Sequence, residues 1–371
     1  MIELAEIFRQ YGPTYRAKFG AHMPPSHHKV MQDIEDCRTE ALGGQVFLCE
    51  PCQESRYRYH SCQNRHCPTC GNDHAEEWLA MQNTLLLPVP YFMVTFALPA
   101  ELREPARRHQ KTFYSLFFRT SAAALQKLAA DRHFVGGQLG FFGVLHTWTR
   151  DLRYHPHIHY IVAGGGLSAD GRAWLAARKD FLVPVKALST IFRAKFRDAL
   201  KKTPAVYAQV PPETWERDWV VHAEPVGSGQ QALKYLAPYI FRVALSNQRL
   251  LKLEDGHVTF QYKDAKTDTL NTQILPVEAF IRRFLQHVLP PRFIKVRYYG
   301  FLSSRNRHRL AKLNDLLNVK PVETPQPPHA PAAMPDSQQA ERRCPKCGSI
   351  MRLVGDIEPT RLRLHGARAS P

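Results

Sequence analysis

Residues 155–162 read His-Pro-His-Ile-His-Tyr-Ile-Val, a run in which polar and apolar side chains alternate. This alternation predicts a half-buried β-strand, because successive side chains of a strand point to opposite faces. Ile158, Tyr160 and Val162 would face a core, whereas His157 and His159 would share the other face, about 7 Å apart at Cα. Two such imidazoles can reach one divalent metal ion, and the alternative is a pair of core or solvated histidines. Candidates for a third ligand are His146, His155, Glu224 and Gln231.

The segments around this run alternate between the two kinds of regular structure. Apolar runs predict strands at residues 91–98, 141–149, 157–162, 219–224 and 258–262. Apolar side chains at helical spacing predict helices at residues 1–36, 105–130, 185–202, 228–245 and 277–289. The glycines at 164–166 are expected to end the strand that carries the histidines. Strands separated by helices, with a hairpin at 141–162, indicate an α+β fold with an antiparallel sheet flanked by helices.

Two tyrosines lie on the predicted helix 228–245. Tyr235 and Tyr239 are four residues apart and would share a helix face, with Pro238 expected to kink the helix between them. Ser228 and Gln231 fit a capping box that would start this helix. A phenol oxygen can act as a nucleophile at phosphorus when a metal ion and cations relieve the charge. The alternative is two tyrosines that line a core.

The charge of the chain favours a nucleic-acid partner. Its 371 residues include 50 Lys and Arg against 33 Asp and Glu, a formal charge of +17. Arg65, Lys234 and Arg242 are the candidate DNA contacts, although an unrelated basic protein is the alternative on charge alone. No long apolar run predicts a membrane span, and residues 1–20 do not resemble a signal peptide, so a cytoplasmic location is expected.

Eight cysteines without a secretion signal favour metal binding over disulfides. The pairs Cys49-x2-Cys52 and Cys67-x2-Cys70 predict four thiolates on one structural zinc ion. His60, Cys62 and His66 lie between the pairs and could replace a ligand, whereas Cys37 is expected to be a packed, small apolar residue. Cys344-x2-Cys347 supplies half a zinc site, which could pair with a second chain, borrow histidines or hold no metal.

Composition divides the chain into four parts. Residues 1–85 are predicted to form N-terminal helices and a zinc-binding domain, and residues 86–318 the main α+β domain. Residues 319–343 are a proline-rich linker, and residues 344–371 are a basic tail that contains cysteine. Between the cysteine pairs, Arg56-Tyr57-Arg58-Tyr59-His60 interleaves cations with aromatic rings. The cations of that segment could contact a nucleic-acid backbone while its rings stack on bases. The alternative is that the region does not contact DNA and its zinc only stabilises the fold.

Several motifs in order resemble a known family, the two-tyrosine HUH rolling-circle transposases of bacterial insertion sequences (the insertion sequence ninety-one family). In HUH, U stands for a hydrophobic residue. The resemblance spans about residues 30–310 and is carried by residues 37–39 (Cys-Arg-Thr), 61–70 (Ser-Cys-Gln-Asn-Arg-His-Cys-Pro-Thr-Cys), 145–148 (Leu-His-Thr-Trp), 155–159 (His-Pro-His-Ile-His), 235–239 (Tyr-Leu-Ala-Pro-Tyr) and 299–302 (Tyr-Gly-Phe-Leu).

The resemblance implies an N-terminal zinc-binding domain and an HUH nuclease core with an RRM-like antiparallel sheet. It also implies that His157 and His159 hold a catalytic Mg²⁺ or Mn²⁺ ion and that Tyr235 and Tyr239 are the nucleophiles. A metal-dependent enzyme of this kind nicks single-stranded DNA at element ends, forms a 5′-phosphotyrosine and catalyses rolling-circle strand transfer. Its partners would be element ends and target DNA, and its location the nucleoid.

Two other classes of protein fit part of this pattern. One is an HUH replication initiator or relaxase of a plasmid, which has the same chemistry and a different substrate. The cysteine-rich module in front of the histidines argues against it. The other is a zinc-containing DNA-binding protein without catalysis, in which the histidines and tyrosines only pack. The sequence predicts no particular oligomeric state.

Overall fold

The computed structural model of the chain describes residues 2–70, 75–234, 244–264, 267–317 and 342–360. The helices are α1 (Leu4–Phe19), α2 (Pro25–Glu35), α3 (Ala75–Asn83), α4 (Arg103–Arg108), α5 (Gln110–Ala129), α6 (Val185–Leu200), α7 (Pro204–Tyr207), α8 (229–234), α9 (Val277–Leu285) and α10 (Arg309–Leu316). The strands are β1 (Gly44–Cys49), β2 (Glu54–Tyr59), β3 (Pro90–Ala97), β4 (Gln138–Trp148), β5 (Tyr154–Leu167), β6 (Trp174–Ala176), β7 (Val221–Ser228), β8 (Leu250–Glu254), β9 (His257–Lys263), β10 (Leu270–Pro276), β11 (Val296–Tyr299) and β12 (Arg352–Ile357).

The main sheet is antiparallel, with the strand order β11-β4-β5-β3-β7, and β6 pairs with the far end of β5. Strand β5 carries the histidine run and lies between β4 and β3. In this register His157 is opposite His146 on β4, and His159 is opposite Thr95 on β3. Directly paired residues of an antiparallel sheet extend their side chains from the same face. The register therefore brings these four side chains to one face, which we call the histidine face.

The other face of the sheet holds the larger core. Ile158, Tyr160 and Val162 are fully buried there against α5 and α6, as the alternation predicts. The phenol of Tyr160 forms a hydrogen bond of 2.8 Å with the hydroxyl of Ser121 on α5, which satisfies its polar atom inside the core. Each large apolar side chain buried in this way stabilises the fold by about 1.5–3 kcal/mol. This packing fixes the position of β5 and thereby aims its histidines at the opposite side.

Helix α8 covers part of the histidine face. Its Ala232 and Leu233 are buried with Met93, Phe142 and Ile161, which come from β3, β4 and β5. The capping box predicted at its start is confirmed. The backbone N–H of Ser228 donates to Oε1 of Gln231 at 2.8 Å, and that of Gln231 donates to Oγ of Ser228 at 3.3 Å. The helix that leads to residue 235 thus starts on the histidine side of the sheet.

Several predicted boundaries differ from the structure. The helix predicted at 1–36 is two helices, α1 and α2, separated by residues 20–24. Strand β5 continues through residues 164–166 to Leu167 instead of ending at the glycines. A Cβ on Gly165 would lie 2.5 Å from the indole ring of Trp174, so glycine lets β6 approach there. The helix predicted at 105–130 is two helices, because His109 has φ −121° and ψ 45° and separates α4 from α5. The α+β class with antiparallel sheets flanked by helices is confirmed.

The N-terminal helices pack against helix α9 and a second antiparallel sheet. The rings of Phe8 on α1 and Phe284 on α9 meet edge to face, with centroids 5.5 Å apart. Arg16 on α1 forms a salt bridge of 2.6 Å with Glu35 on α2. The second sheet, of order β10-β9-β8, contributes Phe260 to the same buried cluster. This shared core joins the cysteine-rich N-terminal region to α9 and this sheet.

A third sheet joins the two ends of the chain. Its order is β12-β1-β2, and β12 pairs antiparallel to β1 with Gly44 opposite Ile357 and Leu48 opposite Arg352. The end of the described chain is therefore part of the N-terminal region in space. Within the described ranges, no helix has both the length and the apolar character needed to cross a lipid bilayer.

Candidate functional site

Three histidines converge on the histidine face of the main sheet. The imidazole nitrogens of His146, His157 and His159 that could bind a metal all lie within 4.8 Å of one another. His146 comes from β4, and the other two come from alternate positions of β5. The ring centroids of His157 and His159 are 4.9 Å apart, and His146 lies 5.3 Å and 5.2 Å from them. Three nitrogens at this spacing can hold one metal ion on a common side.

Hydrogen bonds orient the two histidines of β5. Nδ1 of His157 lies 2.7 Å from the backbone carbonyl of His155 and must therefore donate to it. Nδ1 of His159 lies 2.9 Å from the hydroxyl of Thr95. With Nδ1 protonated, Nε2 of each ring keeps its lone pair for a metal ion. The strand thus presents His157 in the tautomer that leaves Nε2 for coordination, whereas the hydroxyl of Thr95 can donate to or accept from Nδ1 of His159.

Burial keeps these imidazoles neutral. It lowers the pKa of His159 to about 3, with a smaller contribution from the neighbouring His157. Burial also lowers the pKa of His157, although the hydrogen bond to the carbonyl of His155 works in the opposite direction. A neutral imidazole is the form that binds a metal. The cluster is therefore ready to bind a cation at neutral pH without releasing a proton.

The other three candidates for a third ligand have different partners. Nδ1 of His155 lies 2.8 Å from the guanidinium of Arg103. Glu224 pairs with His222 at 3.2 Å, and Oε1 of Gln231 accepts the backbone bond of the capping box. None of the three belongs to the histidine cluster of the described chain. His146 is the member of the predicted set that the strand register brings to His157.

The two tyrosines predicted as nucleophiles, Tyr235 and Tyr239, lie outside the described residues, as does Arg242. Lys234 is described and is exposed at the last described position of α8. It lies on the helix that packs against the histidine face through Ala232 and Leu233.

The cysteines form two clusters, and the predicted grouping of Cys49 and Cys52 with Cys67 and Cys70 is wrong. Cys67 and Cys70 lie with Cys37 and Cys62, whereas Cys49 and Cys52 lie with Cys344 and Cys347. The backbone explains the separation. Cys49 ends β1 and Cys52 lies in the turn before β2, so the hairpin carries this pair away from the 62–70 segment. Each of these two Cys-x2-Cys pairs therefore has different cysteines as the other two members of its cluster.

The first cluster has the dimensions of a structural zinc site. Sγ of Cys37 lies 3.5 Å from Sγ of Cys70 and 3.7 Å from Sγ of Cys67, and Cys62 lies 3.7 Å from Cys70. Four thiolates around zinc at about 2.3 Å form a tetrahedron with edges of about 3.8 Å. Cys37 is therefore one of four grouped thiols, which corrects its interpretation as a packed apolar residue. Cys62 completes the set, as the sequence allowed.

Neighbouring residues of this cluster join the two regions of the chain. Arg65, predicted to contact DNA, donates instead to the backbone carbonyls of Phe293 at 2.6 Å and Pro290 at 3.2 Å. Nε2 of His66 accepts from the backbone N–H of Leu289 at 3.2 Å, so this ring is not a cluster ligand. His60 is likewise outside both cysteine clusters. These contacts place Arg65 between the cysteine-rich region and the segment that follows α9.

Two residues near the histidines were not predicted as part of the site. Thr95 orients His159, and Arg103 contacts His155. Thr95 lies within the predicted strand 91–98, but nothing in a single sequence gives the register that places it opposite His159. Arg103 lies at the start of α4, and its pairing depends on how that helix packs.

Comparisons with known proteins find two matching families. A family described as "Putative transposase" matches residues 140–309. A second family, described as "Transposase zinc-binding domain", matches residues 7–98. The second match and the cysteine clusters together support structural zinc in this chain.

Two relatives cover most of the chain. The "Putative transposase y4qJ" of Sinorhizobium fredii is 39% identical over 370 residues, which cover 93% of this chain and 92% of the relative. The "Transposase for insertion sequence element IS801" of Pseudomonas savastanoi pv. phaseolicola is 29% identical over 344 residues, which cover 85% of this chain and 80% of the relative. No solved structure matches the chain.

Proposed function

Since the chain belongs to the insertion sequence ninety-one family of transposases, we propose that it nicks single-stranded DNA at element ends through a covalent phosphotyrosine. The proposal extends to rolling-circle strand transfer and to target DNA as the second substrate. It names His146, His157 and His159 as the metal ligands and Tyr235 and Tyr239 as the nucleophiles.

One observation carries the proposal. The three-histidine cluster and helix α8 occupy the same face of the main sheet, with Ala232 and Leu233 buried against that face. Tyr235 follows Lys234 directly in the sequence, so the covalent chain limits how far it can lie from the end of α8. A phenol delivered to this face has a metal site beside it. The opposite face could not serve, because its side chains fill the core between the sheet and α5 and α6.

The reaction is an exchange of phosphodiester bonds. The phenol oxygen of Tyr235 or Tyr239 forms a bond to phosphorus, and the bond from phosphorus to the 3′ oxygen of the preceding nucleotide breaks. The phenolic proton is balanced by the proton that the leaving 3′ oxygen gains as it becomes a hydroxyl. No water is consumed, so the bond energy is kept in the phosphotyrosine. A 3′ hydroxyl can later attack this bond and release the tyrosine, which transfers the strand.

The histidine cluster serves this exchange by holding a cation. A bound divalent ion polarises a phosphodiester oxygen and stabilises the charge that develops on it. The neutral ring of His157 offers Nε2 for coordination, because its Nδ1 donates to the carbonyl of His155, and the hydroxyl of Thr95 holds Nδ1 of His159. Mg²⁺ prefers oxygen ligands, whereas imidazole nitrogens suit softer ions. Of the two expected ions, the nitrogen set therefore favours Mn²⁺ over Mg²⁺.

Positive charge holds the DNA. The exposed Lys234, with Arg242 outside the described residues, would contact phosphates beside the scissile bond. The formal charge of +17 supports the same substrate class, because it attracts a polyanion over the whole surface. Single strands suit this site because a strand without a complementary partner can bend to bring one phosphate to the histidine face of the sheet.

The experiment is covalent capture. The full chain is incubated with labelled single-stranded oligonucleotides that carry candidate element ends, with Mn²⁺, with Mg²⁺ or with a chelator. Denaturing gels then detect a protein-linked product. We expect the product with metal in the wild type, less of it in either single variant Tyr235→Phe or Tyr239→Phe, and none in the double variant.

Tyr207→Phe is the matched control, because Tyr207 packs against the core on the other face of the sheet and stacks on Trp215. It should form the product at the wild-type level. A protein-linked product that persists in the double tyrosine variant, or that forms equally well with a chelator, would contradict the proposal.

A further inference from the structure

The second cysteine cluster joins the two ends of the chain. Cys49 and Cys52 come from the β1–β2 hairpin, and Cys344 and Cys347 come from the segment just before β12. Strand β12 then pairs with β1 from Gly44 to Leu48, with one irregularity after Val46. The family match to a zinc-binding domain covers residues 7–98 and therefore does not include Cys344 and Cys347.

The four sulfurs are spaced for a metal rather than for disulfides. Sγ of Cys49 lies 3.5 Å from Sγ of Cys347, and Sγ of Cys52 lies 3.9 Å from Sγ of Cys344. A disulfide would bring two sulfurs to about 2 Å. A tetrahedral zinc site with bonds of about 2.3 Å separates them by about 3.8 Å, which agrees with both distances. All four thiols are free and lie within 4.8 Å of one another.

Apart from the pairing of β12 with β1, few contacts of the described residues hold the tail in place. The apolar cluster at this junction consists of four buried residues, Phe47, Cys49, Cys344 and Met351. The ion pairs that reach from the tail, Lys346 to Glu54 and Arg352 to Glu50, are exposed and contribute little. A core of this size cannot offset the entropy of ordering a segment, whereas zinc supplies folding free energy directly. We propose that Cys49, Cys52, Cys344 and Cys347 bind a second zinc ion, which fixes the tail of the chain on the N-terminal sheet.

The fixed tail completes an arginine pocket. Arg342 and Arg343 of the tail meet Arg56 and Arg58 of β2 around a cavity of about 270 Å³. The ring of Tyr57, 62% exposed, is parallel to that of Tyr59, with centroids 6.4 Å apart. Four guanidinium groups around one cavity suit an anionic ligand, and Arg56 among them also forms an ion pair of 3.0 Å with Glu54. On the basis of the function proposed above, the anion is the phosphate backbone of single-stranded DNA, with bases stacked on the tyrosines.

The zinc site is tested by counting metal. By elemental analysis, wild-type chain purified with zinc should contain one zinc ion more per chain than the double variant Cys344→Ser, Cys347→Ser, which has the same histidine cluster. Lys346→Ala is the matched control, because it lies between the two cysteines and should keep the wild-type zinc content. Equal zinc contents in the wild type and the cysteine variant would overturn the proposal. The count does not depend on DNA cleavage, so it separates this proposal from the proposed function.

A second measurement covers the case in which the cysteine variant fails to fold. A protease site is inserted between residues 318 and 341 of an otherwise wild-type chain. After cleavage, the C-terminal fragment should remain bound to the zinc-loaded protein at native conditions and should leave when a chelator removes the metal. A fragment that separates while zinc is present would overturn the site. Light scattering of the uncut chain should give a monomer mass for the zinc-loaded form, because a site shared between chains requires a larger mass.

The pocket is tested by the salt dependence of binding to a labelled single-stranded oligonucleotide. Each phosphate contact contributes about 0.7 to the slope of log K against log salt for single strands. The double variant Arg342→Gln, Arg343→Gln should retain the wild-type zinc content and lower this slope by about 1.4. Arg352→Gln, on the same tail but paired with Glu50, should leave the slope unchanged. An unchanged slope in the double variant would contradict DNA binding in the pocket, and it would not contradict the zinc site.

Discussion

Nδ1 of His159 lies 2.9 Å from the hydroxyl of Thr95, which faces it across the β3–β5 pair. This bond orients an imidazole that belongs to the histidine cluster. Thr95→Val keeps the shape of the side chain and removes the bond. We expect it to weaken Mn²⁺ affinity by about 10–100-fold, as for other partners of metal-binding histidines, measured by isothermal titration.

Thr95→Ser is the matched control, because it keeps the hydroxyl and removes only a methyl group. It should bind Mn²⁺ with nearly wild-type affinity. Equal affinities for the valine and serine variants would mean that the hydroxyl does not orient a ligand.

The second prediction separates His146 from His155, which were both candidates for the third ligand. His146 belongs to the cluster and is buried, whereas His155 bonds to Arg103 outside it. His146→Ala should weaken Mn²⁺ affinity by about 100-fold or more, because a direct ligand contributes at least as much as its supporting residues. It should also abolish the covalent DNA product on denaturing gels.

His155→Ala should keep metal binding, because the carbonyl that holds Nδ1 of His157 belongs to the main chain. Loss of metal in His155→Ala with retention in His146→Ala would reverse the assignment.

Much of this site could be predicted from the alternation of residues 155–162, because period-two alternation fixes which side chains share a face of a strand. The third ligand could not, because it depends on the pairing of β4 with β5, which puts His146 opposite His157. A one-residue change of register would place His146 on the other face. The same limit hides Thr95, whose contact with His159 is also a consequence of register.

The cysteines show a different limit. Spacing identifies each Cys-x2-Cys pair as half of a metal site, but it contains no information about which two pairs share an ion. Neighbouring pairs in the sequence were therefore assigned to each other. In the structure, 298 residues separate Cys49 from Cys347, and the pairing of β12 with β1 brings them together. Such nonlocal strand pairing has no signal in one sequence.

The capping box at the start of α8 gives the third prediction. Ser228 and Gln231 each satisfy a backbone N–H of the other. Ser228→Ala should lower the free energy of unfolding by about 1 kcal/mol, measured by urea denaturation. It should speed hydrogen exchange in residues 229–234 and slow formation of the covalent DNA product, with no change in Mn²⁺ affinity. Ser228→Thr keeps the cap and should stay close to wild type, so a threonine variant as unstable as alanine would exclude capping as the cause.

The fourth prediction concerns acid stability through His287. Its Nε2 lies 3.3 Å from the carbonyl of Leu152 and its Nδ1 3.2 Å from the hydroxyl of Thr147, an arrangement that suits the neutral ring. Burial lowers its pKa from 6.5 to about 4. The unfolded chain then binds more protons than the folded one between these values, so stability falls as pH drops from 6.5 towards 4 and is unaffected above 6.5.

The full effect of this group is about 3 kcal/mol. The glutamine of His287→Gln cannot titrate. Between pH 6.5 and 4, the free energy of unfolding of this variant should therefore fall by about 3 kcal/mol less than that of the wild type. Urea denaturation of both proteins at several pH values measures the difference. The other buried histidines act equally in the two proteins, so their effects cancel in this difference. Parallel pH profiles for the two proteins would contradict the assignment to His287.

Arg65 gives the last prediction, because its two possible roles respond differently to substitution. Its guanidinium donates to the carbonyls of Phe293 and Pro290, a geometry that depends on a planar fork. Arg65→Gln and Arg65→Lys should therefore both lower the free energy of unfolding by roughly 1–2 kcal/mol. A DNA phosphate would accept lysine in place of arginine far more readily. In both variants, the slope of log K against log salt for binding of single-stranded DNA should therefore equal that of the wild type. A smaller slope in Arg65→Gln together with a wild-type slope in Arg65→Lys would instead show that Arg65 contacts DNA.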